Sequence, residues 1–319
     1  MKRVLVTGAN GFIGQKLCKI LSNEYIVRAV SRNIDSKSIQ SAYEYVSIID
    51  INPNTCWIEA LMNVDIVVHL AARVHVMNDK VKDPLGEFRK VNLHGTMNLA
   101  KQAVDAGVKR FIYISSIKVN GESSLNGVFN ESDLPLPVDP YGISKYEAES
   151  GLFQLAEDTG MEVVCIRPPL VYGPGVKANF HNLMKWLKRG VPLPFGSIHN
   201  KRSLVSLDNL LDLILTCLEH PAAKNQVFLV SDGVDLSTTE LFERVSFALR
   251  KKSRLLPVNE KKLVSFLNFM GKKDLALRLC GSLQVDISKA KKLLDWTPPI
   301  SVDDGLRQTA QYFLNNIKK

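Results

Sequence analysis

The strongest constraint on the fold lies in the first fourteen residues, MKRVLVTGANGFIG. A β-branched run, Val4–Thr7, leads into Gly8-Ala9-Asn10-Gly11-Phe12-Ile13-Gly14, and a helical pattern follows at once. Glycines at such a junction let the backbone turn tightly and approach a pyrophosphate, while the unpaired N–H groups of the starting helix face negative charge. The spacing is G-x-x-G-x-x-G, not the G-x-G-x-x-G of the usual dinucleotide fingerprint. Set between a strand and a helix, the loop predicts a dinucleotide site.

The first half of the chain repeats this unit. Val4–Thr7, Ile26–Val30, Tyr45–Ile48, Ile66–Leu70, Arg110–Ser115 and Val163–Arg167 read as strands, with helices at Phe12–Leu21, Asn92–Ala106 and Tyr141–Glu157. Alternation of this kind predicts an α/β fold with a doubly wound parallel sheet. Asp139-Pro140 marks a helix start, since Asp caps free N–H groups and Pro fits the first turn. From about Gly173 the composition turns to Pro/Gly-rich loops between shorter helices. The expected division is a dinucleotide-binding domain over 1–172 and a smaller α/β substrate lobe over 173–319. A strand near 226–230 is expected to return to the main sheet.

Three residue types carry candidate chemistry. Tyr141 and Lys145, in YGISK, stand at i and i+4 and share one helical face. A free phenol titrates near 10, so making it a base at neutral pH takes about three units, roughly 4 kcal/mol of preference for the phenolate. A close ammonium and an oxidised nicotinamide supply such a preference. Ser116 follows the strand-like FIYIS and falls at the carboxyl edge where parallel sheets hold ligands. The second strand ends Val30-Ser31-Arg32-Asn33, without the carboxylate that accepts from an NAD ribose. Arg32 suits a 2′-phosphate, so NADP(H) is favoured, with NAD(H) as the alternative.

Composition closes off other classes. The five cysteines are scattered, with no C-x-x-C pair, which argues against a disulfide framework or a zinc knuckle; no metal site is expected. With neither a secretory leader nor a membrane-length apolar run, the expected location is cytoplasmic. Net charge is +9, and residues 251–319 hold fourteen basic against six acidic side chains. A basic end fits an anionic partner, but no nucleic-acid signature accompanies it. Leu263, Phe266, Leu267 and Met270, bracketed by Lys261-Lys262 and Lys272-Lys273, form a helical stripe. Core packing of the smaller lobe is its expected role, and peripheral membrane contact the alternative.

Ordered motifs along nearly the whole chain resemble the extended short-chain dehydrogenase/reductase family, in its nucleotide-sugar epimerase/dehydratase group. They are TGANGFIG, Asp50-Ile51, VVHLAA (67–72), VNLHGTMNLA (91–100), SSIKVNG (115–121), YGISK, RPPLVYGPG (167–175), RSLVSLDN (202–209) and SKAKKLLDWTPP (288–299). The resemblance implies a Rossmann-type fold and a homodimer built on the helices around 92–106 and 141–157. It implies that Gly8, Asn10, Gly11, Phe12, Ile13 and Gly14 hold the cofactor pyrophosphate. Arg32 would lie by the adenosine ribose, Asp50 and Ile51 by the adenine, and Leu70, Ala71 and Ala72 along the path to the nicotinamide, with Asn92 and Pro168 also at the cofactor. Tyr141 would be the acid/base, Lys145 its electrostatic partner and Ser116 the hydroxyl that holds the reacting oxygen. Arg202 would grip the diphosphate of a UDP-hexose, with Asn179 (or Asn182) and Arg278 on the same ligand.

Departures from the family pattern narrow the reaction. Dehydratases of the group carry an acidic pair after the catalytic hydroxyl, where this chain has Ile117 and Lys118. Hydride exchange at carbon 4 remains. Arg32 and the SSIKVNG and NKRSLVSLDN segments favour reduction of a UDP-4-keto-6-deoxy-N-acetylhexosamine. The alternative is a UDP-glucose/UDP-N-acetylglucosamine 4-epimerase with retained NAD. Asn120, where many epimerases have Tyr, counts against the alternative, and the small Ser282-Leu283-Gln284 stretch points to acetamido sugars. A non-enzymatic cofactor-sensing regulator would commonly lack the tyrosine or the lysine, and both are present.

Overall fold

The computed structural model describes residues 1–32, 43–74, 81–124 and 127–316. Asn33, at the end of the second-strand motif, lies outside them. The chain opens with β1 (Arg3–Thr7), α1 (Phe12–Leu21), β2 (Ile26–Ser31), β3 (Tyr43–Ser47), α2 (Ile58–Leu61) and β4 (Ile66–His69). Next come α3 (Pro84–Phe88), a π-helical stretch Arg89–Gly95, α4 (Thr96–Asp105), β5 (Arg110–Ile114), α5 (Pro140–Thr159) and β6 (Glu162–Arg167). Beyond these lie β7 (Leu170–Tyr172), α6 (Ala178–Arg189), β8 (Arg202–Ser206), α7 (Leu207–Glu219), β9 (Gln226–Leu229) and β10 (Asp235–Leu236). Helices α8 (Thr238–Ala248), α9 (Glu260–Phe269), α10 (Lys273–Cys280), α11 (Ser288–Leu294) and α12 (Val302–Asn316) complete the order.

The main sheet runs β3-β2-β1-β4-β5-β6-β9, and every neighbouring pair in it is parallel. This is the doubly wound order, with its reversal between β1 and β4. Both faces are covered, which is why the central strands are near-continuous apolar runs. Leu17, Leu21, Leu210 and Ile214 pack on one face, and Trp57, Leu99, Leu152 and Ala156 on the other. The strand near 226–230 does rejoin this sheet, as β9 beside β6, and α7 packs under it. A second sheet, β10-β8-β7, gathers Tyr172, Phe180, Leu204, Phe242, Leu306 and Phe313 into its own core.

Two expectations need correction. The helix expected over 92–106 starts earlier, at Pro84 behind the Asp83 cap, and passes through the π-helical stretch. The wider turn there breaks the 3.6-residue period on which a sequence reading depends. The 263–270 stripe is only half core: Leu263 is buried and Leu267 partly so, whereas Phe266 and Met270 are exposed.

Candidate active site

The parallel sheet brings the candidate cofactor residues to one edge, because each follows the carboxyl end of a strand. The glycine loop follows β1, Arg32 follows β2, Leu70–Ala72 follow β4, Ser116 follows β5, and Pro168 follows β6. Asp50 and Ile51 lie beyond β3, Asp50 exposed and Ile51 packed beside Gly95.

Close approach explains the third glycine of the loop. A Cβ on Gly14 would stand 2.3 Å from the Gly8 carbonyl oxygen and 2.8 Å from Ala9 Cα. Only a bare backbone lets α1 begin this near the turn. Gly11 caps α1 without a side-chain hydrogen bond, so the first N–H groups stay open to an anion. Asn10 donates to Ser31 Oγ at 3.1 Å, tying the loop to the end of β2. On the other side, Thr7 Oγ1 accepts from the Ala71 N–H at 3.2 Å and meets His69 Nδ1 at 2.7 Å. This open, side-chain-free cradle fits a pyrophosphate.

The catalytic candidates converge on the start of α5. Asp139 caps the helix by accepting from the Gly142 N–H at 2.6 Å. A Cβ on Gly142 would come within 2.9 Å of the Lys118 carbonyl oxygen, so glycine lets α5 press against the turn that carries Ser116. Lys118 fixes the same junction through Asp139 and Glu122, the latter at 2.7 Å. Ile117 is buried in the core. The first residue after Ser116 is therefore core and the second is ion-paired away, which leaves no acid in the place of the dehydratase pair.

The Ser116 hydroxyl lies beside the Tyr141 phenol. Burial pushes that phenol well above its usual range, the charge of Asp139 adds to the rise, and the Ser116 contact opposes it. Lys145 is buried, donates to the Ile114 carbonyl oxygen at 2.8 Å and lies 4.4 Å from the Tyr113 ring centroid. Its Nζ is 5.9 Å from the Tyr141 ring centroid. Burial lowers the Lys145 ammonium to about 7, with Glu149 and Cys165 opposing the fall. His69 beneath is held down at about 3 by burial and by the Lys145 charge, so it stays neutral.

Two supporting residues, Glu149 and Arg167, escaped the sequence reading. Glu149 shares the Tyr141–Lys145 face one turn on, and it holds Arg167 with both carboxylate oxygens, at 3.0 and 3.1 Å from Nε. Arg167 also donates to Asn120 Oδ1 at 2.9 Å. The i, i+4, i+8 spacing of Tyr141, Lys145 and Glu149 was the available signal. Asn92 is buried: it accepts from the Arg73 N–H at 2.8 Å and donates to Ser144 Oγ at 3.0 Å. It thus fastens the 71–73 segment to α5. Pro168 is buried, and its carbonyl accepts from the Ile117 N–H at 3.0 Å, holding the Ser116 turn.

The diphosphate candidates sit on β8, α10 and α6. Arg202, half-buried at the start of β8, donates to the Gly281 carbonyl at 2.9 Å. Burial depresses its guanidinium; the Glu122 charge opposes the fall, and Arg278 in the last turn of α10 adds to it. The two cations therefore share a neighbourhood. Asn179 and Asn182 lie exposed on α6.

A model of the NAD dependent epimerase/dehydratase family matches residues 4–231. The chain belongs to that family. It is 53% identical to a UDP-glucose 4-epimerase of Vibrio cholerae over 317 residues, covering 98% of this chain and 96% of that protein. Among solved structures, UDP-glucose 4-epimerase of Thermotoga maritima with UDP-glucose is similar at TM-score 0.77 and 25% identity, covering 99% of each chain. UDP-glucuronic acid 4-epimerase of Bacillus cereus in complex with NAD is similar at TM-score 0.78 and 25% identity, covering 98% and 99%. These epimerase/dehydratase relatives favour the second reaction over the expected reductase. They also give no support to a preference for NADP(H): Arg32 is exposed, and the Bacillus protein carries NAD.

Proposed function

We propose that this epimerase/dehydratase enzyme is a UDP-hexose 4-epimerase that keeps its NAD. The observation that carries the reading is the meeting of Ser116, Tyr141 and Lys145 at the sheet edge that also carries the glycine cradle. When bound there, the nicotinamide supplies a hydride acceptor and donor at carbon 4 of the sugar. The chain's own residues do the rest. Ser116 holds the carbon-4 oxygen. Tyr141, its phenolate sustained by the Lys145 ammonium, takes the proton from that oxygen and later returns it. Arg202, with Arg278 near it, grips the diphosphate by charge-assisted hydrogen bonds while the hexose turns over between the two transfers. No net redox change results, so no fresh cofactor is consumed.

UDP-glucose and UDP-N-acetylglucosamine, supplied separately without added cofactor, are each expected to give a gluco/galacto mixture. Absence of interconversion, together with stoichiometric consumption of NAD(P)H on a UDP-4-keto sugar, would restore the reductase.

A further inference from the structure

Helices α9 and α10 form a hairpin that uses only one side of α9 for packing. Leu263 and Leu267 face inward, onto a small cluster with Ile198, Leu279 and Cys280. Lys262, Phe266 and Phe269, at i, i+4 and i+7, share the adjacent, solvent-facing side. Phe266 is 59% exposed, Phe269 88% and the capping Met270 52%. Two phenylalanines and a methionine at one helix end form an exposed apolar group of the kind that marks a contact with a partner or a membrane.

Charge selects the occupant. Lys261 and Lys262 flank the cluster on one side and Lys272 and Lys273 on the other, against Glu260 and Asp274. The surrounding segment 251–319 is itself strongly basic, with fourteen cationic and six anionic side chains. A second copy of the chain would set lysines against lysines. A bilayer with anionic headgroups accepts rings at the acyl boundary and ammonium groups at the phosphates. We infer that the α9–α10 hairpin is a docking surface for an anionic lipid bilayer. No helix among the described residues is long and apolar enough to cross a membrane, so contact would be peripheral. The hairpin also leads into the Gly281 carbonyl that holds Arg202, and it carries Arg278. Docking would thus bring the diphosphate subsite close to the lipid plane. The inference does not depend on which carbon-4 reaction is catalysed.

Flotation of the full chain with vesicles of phosphatidylglycerol and phosphatidylethanolamine, against phosphatidylcholine alone, provides the test. The chain should float with the anionic vesicles only. The double variant Phe266→Ser/Phe269→Ser should lose at least about tenfold in partitioning, with its turnover of a free UDP-sugar unchanged. Failure to float at low salt would overturn the inference. So would flotation that the double variant leaves intact, because diffuse basic charge would then explain it. Break-up of a solution dimer by the double variant would assign the patch to a contact between copies and reject the bilayer.

Discussion

Tyr141 and Lys145 are each held away from their charged form in the cofactor-free protein. Burial raises the phenol and lowers the ammonium to about 7. A phenolate–ammonium pair relieves both costs together, which makes the pair the natural place to hold a mobile proton. The sign of the pH dependence follows. An unfolded lysine titrates near 10.4, so between about pH 7 and 10 the unfolded chain carries the additional proton. Stability of the cofactor-free protein should therefore rise with pH in that window, by up to about 1.4 kcal/mol per unit from this group. Lys145→Met should flatten the rise, as read from denaturant midpoints across the window. At the diphosphate end, Arg202→Lys removes a bidentate fork but keeps the charge. KM for the UDP-sugar should increase about tenfold with kcat little changed.

At the scale of elements, the site depends on how α5 meets the ends of β5 and β6. The buried Glu149–Arg167 pair and Asn120 hold that junction. Glu149→Ala leaves an unpaired guanidinium in the core and should cost about 3–5 kcal/mol of unfolding free energy, measured by denaturant titration. Gly14→Ala forces a Cβ into the Gly8 carbonyl, at 2.3 Å. It should abolish cofactor retention, as seen in the absorbance of the purified protein. These elements were legible to different degrees. β-branched runs announced the strands of the main sheet to within a residue or two, though not β7, β8 or β10 of the second sheet, and Asp139-Pro140 announced α5. The π-helical stretch around Asn92 could not be read, because no side-chain period distinguishes it. Nor could the Glu149–Arg167 pair, whose partners come from a helix and a strand and meet only through the fold.

Across the whole molecule, the glycine cradle and the proposed catalytic trio lie at the carboxyl edge of the main sheet, while the expected diphosphate grip comes from β8 and α10. The motifs placed nearly every candidate of the first group at one edge. Cofactor choice was less accessible: an exposed Arg32 and a missing carboxylate do not by themselves decide between two dinucleotides. Because the cofactor contacts only folded protein, saturating NAD should raise the melting temperature of the cofactor-stripped protein, by about 2.7 kcal/mol of added stability at a hundredfold excess over Kd. NADP at the same concentration should raise it less, which a thermal shift series checks.

The most direct measurement compares Tyr141→Phe with the parent enzyme, both purified with their cofactor and supplied with UDP-glucose. The phenol-free protein should keep its fold and its bound NAD while kcat for interconversion at carbon 4 falls about 10²–10⁴-fold. Interconversion at an undiminished rate would contradict the assignment of the proton to Tyr141 and, with it, the chemistry proposed for this site.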